Sequence, residues 1–291
     1  MTAYLVLADI HGNLEALEAV FAHAQRHHGT PTEVWCLGDL VGYGPDPGPC
    51  IDLLREPPGF TGVPVRCVLG NHEEGVLLLQ RGERLSQPSL DILQSWAWTL
   101  KVLTSAQLDY LQSLPHQLVL DSCPMPTLLV HGAPPDSLEQ YLLTASDVEV
   151  HIRSLAQRLC LFGHTHLASY FEADATRFEA RPRLFTTEST PTIVRAEKIF
   201  MNPGTVGQPR WGELVTWGVS ERQGGYPRKL VGRPGASYLW IEMQPDELLV
   251  SFHLVAYDSH RTVQKMRGLG TRSPALIVPE RYMRRITEGL R

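Results

Sequence analysis

A chain of 291 residues, 43% of them hydrophobic, is long enough to bury a large core as one α/β domain. Its formal charge of -5 offers no general attraction to polyanions, so a dedicated binder of long nucleic acid is disfavoured. Met1-Thr2-Ala3-Tyr4 enters an apolar run with neither a basic region nor a long hydrophobic segment, and five scattered cysteines show no disulfide framework; the expectation is a cytoplasmic protein without signal peptide or membrane span.

The first apolar run, residues 4–8, ends in Asp9-Ile10-His11-Gly12-Asn13. Asn13 is placed as the N-cap of a helix with Leu14, Leu17, Phe21 and Ala24 on one face. His23, His27 and His28, toward its end, are expected to meet the helix C-terminal carbonyls and to carry no chemistry. A second run, residues 33–37, ends in Gly38-Asp39 and opens a loop crowded with Gly and Pro, 42–49. Tyr43 in that loop is either part of a rigid turn or a neighbour of the substrate.

The third run, 63–69, ends in Gly70-Asn71-His72-Glu73. Residues 74–114 are helical in pattern, with Thr104-Ser105-Ala106-Gln107 as a capping box and Trp96 and Trp98 as packing residues. Two more runs, 127–130 and 158–162, end in His131-Gly132 and in Gly163-His164-Thr165-His166. All five are short and rich in β-branched or large apolar residues, the mark of buried strands. As neighbours in one sheet they would bring their carboxyl ends to one edge, where open α/β sheets place ligands. Beyond His166, alternating runs at 169–172, 177–180, 192–195, 198–201, 237–242 and 248–256 read as antiparallel strands of a second sheet. The remaining C-terminal stretch, about 258–290, reads as helical. One domain is expected over 1–291, with an inserted arm at about 207–235.

Two imidazoles one residue apart aim at one place, and histidine is the commonest metal ligand among side chains. Asp9, His11, Asp39, Asn71, His131, His164 and His166 supply four imidazoles and three hard oxygen donors, more than one ion can use. That set suits two first-row divalent ions sharing a carboxylate.

The order D-x-H, G-D, G-N-H-E, H-G, G-H-T-H resembles the calcineurin-like metallophosphoesterase superfamily. Residues 38–47 and 202–210 are similar to its small prokaryotic, phosphodiesterase-like branch. The resemblance implies a four-layer αββα sandwich in which two stacked mixed β-sheets are flanked by helices. By similarity, Asp9, His11 and His166 would hold one ion and Asn71, His131 and His164 the other, with Asp39 bridging. Manganese is the first expectation and Fe, Ni, Co or Zn the alternatives. Such a pair holds a hydroxide for in-line attack on phosphate without a protein nucleophile. The resemblance puts His72 on the substrate side, stabilising charge or protonating the leaving alkoxide; a loop brace is the other reading, with Glu73 as its partner.

Where the protein-phosphatase and dinucleoside-polyphosphatase branches carry an Arg that grips a terminal phosphate, this chain has Gly42 and Tyr43. Glu73, in contrast, matches those branches. The expected activity is therefore a phosphodiesterase on cyclic or small nucleotides, with a phosphomonoesterase or dinucleoside-polyphosphate hydrolase as the alternative. A catalytically silent scaffold of the same fold is the non-enzyme reading. The arm is expected to be either a surface loop or homo-oligomer contact, or a lid whose aromatics meet a base, with Arg210 at its root touching phosphate.

Overall fold

The computed structural model describes residues 2–85, 87–135, 138–183, 191–209, 235–272 and 280–287. Among these, twelve strands sort into two six-stranded sheets. In the first, β3 (Val65–Cys67), β2 (Glu33–Cys36) and β1 (Thr2–Leu7) run parallel, and β11 (Ala236–Met243), β12 (Leu248–Val255) and β9 (Thr192–Val194) follow antiparallel. In the second, β5 (Thr127–Val130), β6 (Leu159–Leu161) and β10 (Lys198–Pro203) are parallel, with β4 (Gln117–Leu120) on one side and β7 (Ala168–Asp174) and β8 (Glu179–Arg183) on the other, all antiparallel to their neighbours.

The period-2 alternation of a strand assigns each face its layer. Tyr4, Val6, Trp35, Leu37, Leu239 and Ile241 meet Leu129, Leu159, Leu161, Ile199 and Met201 between the sheets. The intervening Leu5, Leu7, Val34, Tyr238 and Trp240 face the other way, against Leu17, Val20 and Phe21 of α1 (Leu14–His28). Burying each such side chain stabilises the fold by about 1.5–3 kcal/mol, which is why these strands read as unbroken apolar runs.

This arrangement corrects two expectations. The five runs that end in polar clusters do not share one sheet: three belong to the first sheet and two to the second. The strands after His166 do not form a sheet of their own but divide, β9, β11 and β12 joining the first and β7, β8 and β10 the second. A strand buried on both faces carries no mark of the sheet it joins; the long crossovers decide that.

Helix α1 starts where Asn13 Oδ1 accepts from the Ala16 N–H at 3.2 Å, as the N-cap reading requires. Its histidines depart from expectation. His27 alone reaches a carbonyl, that of His23 at 2.9 Å, whereas His23 and His28 turn toward β11 and β12.

Of the other helices, α2 (Pro47–Arg55), α3 (Asn71–Arg81), α4 (Leu90–Val102) and α5 (Ser105–Gln112) lie on the first sheet's side of the chain order, and α6 (Ala145–Glu149) precedes β6. Helices α7 (Ser259–Arg272) and α8 (Glu280–Thr287) close the described chain. They pack Val263, Met266, Tyr282, Met283 and Ile286 around Tyr43, while Lys265 holds Glu15 at 2.6 Å and Asp46 at 2.7 Å. No described helix is long and apolar enough to cross a membrane. Arg210 and positions 210–234 of the expected arm lie outside the described residues.

Candidate metal centre

The carboxyl ends of the two sheets meet. His131 Nδ1 donates to the Leu37 carbonyl at 2.7 Å, and the His164 N–H donates to Asp9 Oδ1 at 3.2 Å, so loops of both sheets are tied across the edge. Asp9, His11, Asp39, Tyr43, His164 and His166 all have φ between 50° and 64°, the left-handed region that costs a side chain of order 1–3 kcal/mol. Such turns persist only where neighbours over-determine them, and here they let the chain reverse just after each strand. Gly70 serves the same crowding: a Cβ there would lie 2.2 Å from Asp39 Oδ1.

The seven candidate ligands come together in two groups that share Asp39. Ligand atoms of Asp9, His11, Asp39 and His166 all lie within 4.8 Å of one another, as do those of Asp39, His131 and His164. Asn71 Oδ1 is 3.0 Å from His131 Nε2, which places it with the second group. All four histidines are buried.

The proton positions show what this geometry requires. His11 Nδ1 faces the Val41 carbonyl at 3.0 Å and His166 Nδ1 the Gln208 carbonyl at 2.6 Å; a carbonyl only accepts, so both Nδ1 atoms carry the proton. Their Nε2 atoms then face each other at 3.1 Å with lone pairs. Two bare nitrogens at that distance repel unless a proton or cation lies between them. Asp9 Oδ1 is 3.4 Å from His166 Nε2 and Asp39 Oδ2 3.6 Å from His11 Nε2, so a cation there would meet both nitrogen and oxygen donors. The residues fit two divalent ions, and the carbonyl-held Nδ1–H groups are the outer contacts that orient metal-binding imidazoles.

Burial opposes the charge on Asp39, yet the His131, His72 and His11 imidazoles outweigh it and hold the carboxyl well below its usual range. Burial likewise opposes protonation of His131, but the Asp39 carboxylate pushes it up to about 10. Without metal, therefore, a proton on His131 balances the Asp39 carboxylate, and metal binding at His131 must release it.

His72 does not join either ligand group. Its backbone N–H donates to Asp39 Oδ1 at 2.9 Å, and its Nδ1 is 3.0 Å from Trp96 Nε1. An indole N–H only donates, so His72 Nδ1 accepts and the neutral ring carries its proton on Nε2. Trp96, read from the sequence as packing alone, thus sets the tautomer of His72. It is locked from below, since a Cβ on Gly75 would come within 2.5 Å of its ring.

Glu73 is fully buried and accepts from the N–H groups of Asp39 (2.8 Å), Val41 (3.0 Å) and Gly70 (2.9 Å). It joins the Asp39 loop to the start of α3, and burial followed by the Asp39 charge raises its pKa to about 7.

Tyr43 lies with its ring centroid 4.7 Å from His11 and 4.5 Å from His72, and Tyr282 of α8 packs on it at 4.6 Å. Sequence reasoning missed Tyr141, whose ring stacks on His164 at 4.2 Å and 17° while the residue stays 40% exposed. Nothing local marks it, because the contact spans 23 positions.

The 202–208 block is a brace. Asn202 Nδ2 donates to the Gly163 carbonyl (2.7 Å) and to Thr165 Oγ1 (3.0 Å), while Thr205 Oγ1 donates to the Asp9 carbonyl at 2.8 Å.

A family model described as calcineurin-like phosphoesterase matches residues 3–168. An uncharacterised protein of Methanocaldococcus jannaschii is 29% identical over 214 residues, 71% of this chain and 77% of that protein. A symmetrical bis(5'-nucleosyl)-tetraphosphatase of Pectobacterium atrosepticum is 30% identical over 141 residues; that match spans 45% of this chain and about half of the enzyme, 48%. Among solved structures, a metallophosphoesterase from Sphaerobacter thermophilus superposes with a TM-score of 0.70 at 29% identity, over 99% of this chain and 100% of that one. A hypothetical protein from Pyrococcus horikoshii reaches the same TM-score at 17% identity over the full length of both chains, a likeness of fold alone.

Proposed function

The chain belongs to the calcineurin-like phosphoesterase family and is a metal-dependent phosphoester hydrolase; from that premise we propose that it is a phosphodiesterase of cyclic or small nucleotides. In this reading Asp9, His11 and His166 hold one divalent ion, Asn71, His131 and His164 hold the second, and Asp39 serves both. Manganese suits the mixed oxygen and nitrogen donors, as do Fe, Ni, Co or Zn. Bound there, the two ions supply Lewis acidity toward phosphate and a nucleophile at neutral pH.

The observation that carries the diester reading is Tyr43. Its ring fills the space beside His11 and His72, at the place where the related branches carry an Arg that grips a dianionic terminal phosphate. A diester has no such terminal group. His72, with its proton on Nε2, donates to the departing oxygen. Tyr43 and Tyr141 lie beside opposite ligand groups, so a planar base or aryl group can rest against one while phosphate occupies the centre; stacking of this kind is worth about 1–3 kcal/mol.

A dinucleoside-polyphosphate hydrolase is the second reading, favoured by the tetraphosphatase similarity. Glu73, which matches that branch, does not separate the two, because it binds backbone N–H groups and holds loops. The test is a panel of cyclic nucleotides, linear diesters, phosphomonoesters and dinucleoside tetraphosphates, each with Mn²⁺ and with chelator. The diester reading expects the highest kcat/KM on a diester; a higher value on the tetraphosphate or a monoester would sink it. Tyr43→Arg is expected to move the ratio toward monoesters.

A further inference from the structure

A second group of imidazoles lies away from the metal edge, where the end of α1 packs on β11 and β12. His28 Nε2 and His253 Nε2 approach to 2.9 Å, as close as the pairs at the metal edge, 3.1 and 3.2 Å. His23 lies 5.3 Å from His253 between ring centroids, and His27, one turn on, stacks on His23 at 3.9 Å and 17°. The rings are held from beneath: His28 stacks on Trp240 at 4.5 Å, His253 on Tyr238 at 4.7 Å, and His23 Nδ1 bonds the Tyr238 hydroxyl at 2.8 Å. His27 is exposed and His28 half-buried, which opens the group to solvent, while His253 is nearly buried.

We infer that this group is an auxiliary site for a late first-row divalent ion of the Cu²⁺ or Ni²⁺ class, with His28 and His253 as its two protein ligands. The ligand chemistry selects the ion. Among the described residues the charged groups facing these rings are one another and Arg26, with no carboxylate to suit hard ions such as Mg²⁺, Ca²⁺ or Mn²⁺. Two imidazole nitrogens bound to one ion at about 2.05 Å and about 90° to each other stand about 2.9 Å apart, so the observed spacing fits adjacent positions of a tetragonal site. Burial keeps the rings neutral at ordinary pH, His28 with its pKa down to about 4 and His253 to about 3, so a shift of one ring to its Nδ1–H tautomer frees both Nε2 lone pairs without loss of a proton to solvent. The site is independent of the catalytic assignment, because none of its residues belongs to the metal edge.

The experiment titrates Mn²⁺-loaded protein with Cu²⁺ and follows electron paramagnetic resonance and the manganese and copper content of the desalted protein. One copper per chain is expected in addition to the manganese, with nitrogen hyperfine structure from at least two imidazoles. His28→Gln and His253→Gln keep side chains that can hydrogen-bond, and each is expected to weaken copper binding by on the order of tenfold or more at unchanged manganese content. Copper bound by both variants as by the wild type overturns the site and leaves the pair an imidazole–imidazole hydrogen bond. Wild-type protein that takes copper only by losing manganese overturns it without recourse to any variant.

Discussion

Two groups of four histidines occupy this chain, and their surroundings push His131 of the one and His28 and His253 of the other in opposite directions. At the metal edge, His11, His131, His164 and His166 share a buried space with Asp9 and Asp39, and the carboxylate of Asp39 pushes His131 up to about 10. Under the end of α1, His23, His27, His28 and His253 face one another and Arg26, and burial drives His28 down to about 4 and His253 to about 3. Both groups bring ring nitrogens to about 3 Å. What separates them is oxygen: carboxylates and an amide stand with the first group, as the proposed pair of divalent ions requires, and aromatic faces with the second.

The comparison can be broken most severely at Asp39. Asp39→Asn removes the one carboxylate common to both ligand groups, and hydrolysis is expected to fall on the order of 10³-fold or more, about 4 kcal/mol of transition-state stabilisation. Metal analysis of the same variant is expected to show loss of metal; full metal content with full activity would remove Asp39 from its role. His72→Ala is expected to lower kcat by about 10²–10⁴-fold while both ions stay bound, as for a positioned acid. A variant that loses metal instead would make His72 a loop brace.

Trp96→Phe sharpens the same point at smaller cost. It keeps the ring packed over Gly75 but deletes the N–H that holds the His72 tautomer. Kcat is expected to fall about tenfold, the worth of roughly 1.4 kcal/mol from one buried hydrogen bond, with metal content unchanged; wild-type kcat would mean the tautomer is set otherwise.

The smallest effect lies in the α1 group and concerns pH. His28 and His253 have pKa values below the unfolded value of about 6.5, so the unfolded chain binds more protons. Their contribution to stability is therefore present above about pH 6.5 and is lost as pH falls toward 4. Denaturant melts of wild type and His253→Gln between pH 4 and 7 check this: the wild type is expected to show the steeper loss, and equal slopes would contradict it.

How much of this was legible in the sequence differs between the two groups for physical reasons. The metal-edge residues announce themselves because each polar cluster directly follows an apolar run, and a strand end is where the chain leaves the core. Which sheet each run joins was not legible, since Val34, Leu129 and Leu161 are equally apolar on either side of the boundary. Strand β4 escaped notice because its alternating, half-exposed residues Gln117 to Leu120 lack the apolar density of the others. Trp96 and Tyr141 reach the centre through contacts 24 and 23 positions away in sequence, which no local pattern records. The α1 histidines were misread for the same reason. Their position at a helix end pointed to carbonyls, whereas Tyr238, Trp240 and His253, more than two hundred residues later, claim two of the three.

The central claim is a centre of two divalent ions sharing Asp39 that hydrolyses phosphodiesters, and metal add-back tests it most directly. Protein stripped with chelator is titrated with Mn²⁺ while diester hydrolysis and bound metal are followed together. Activity is expected to be absent from the stripped protein and to return fully only as the content reaches about two ions per chain. Full activity in the stripped protein, or at one ion per chain, would contradict it.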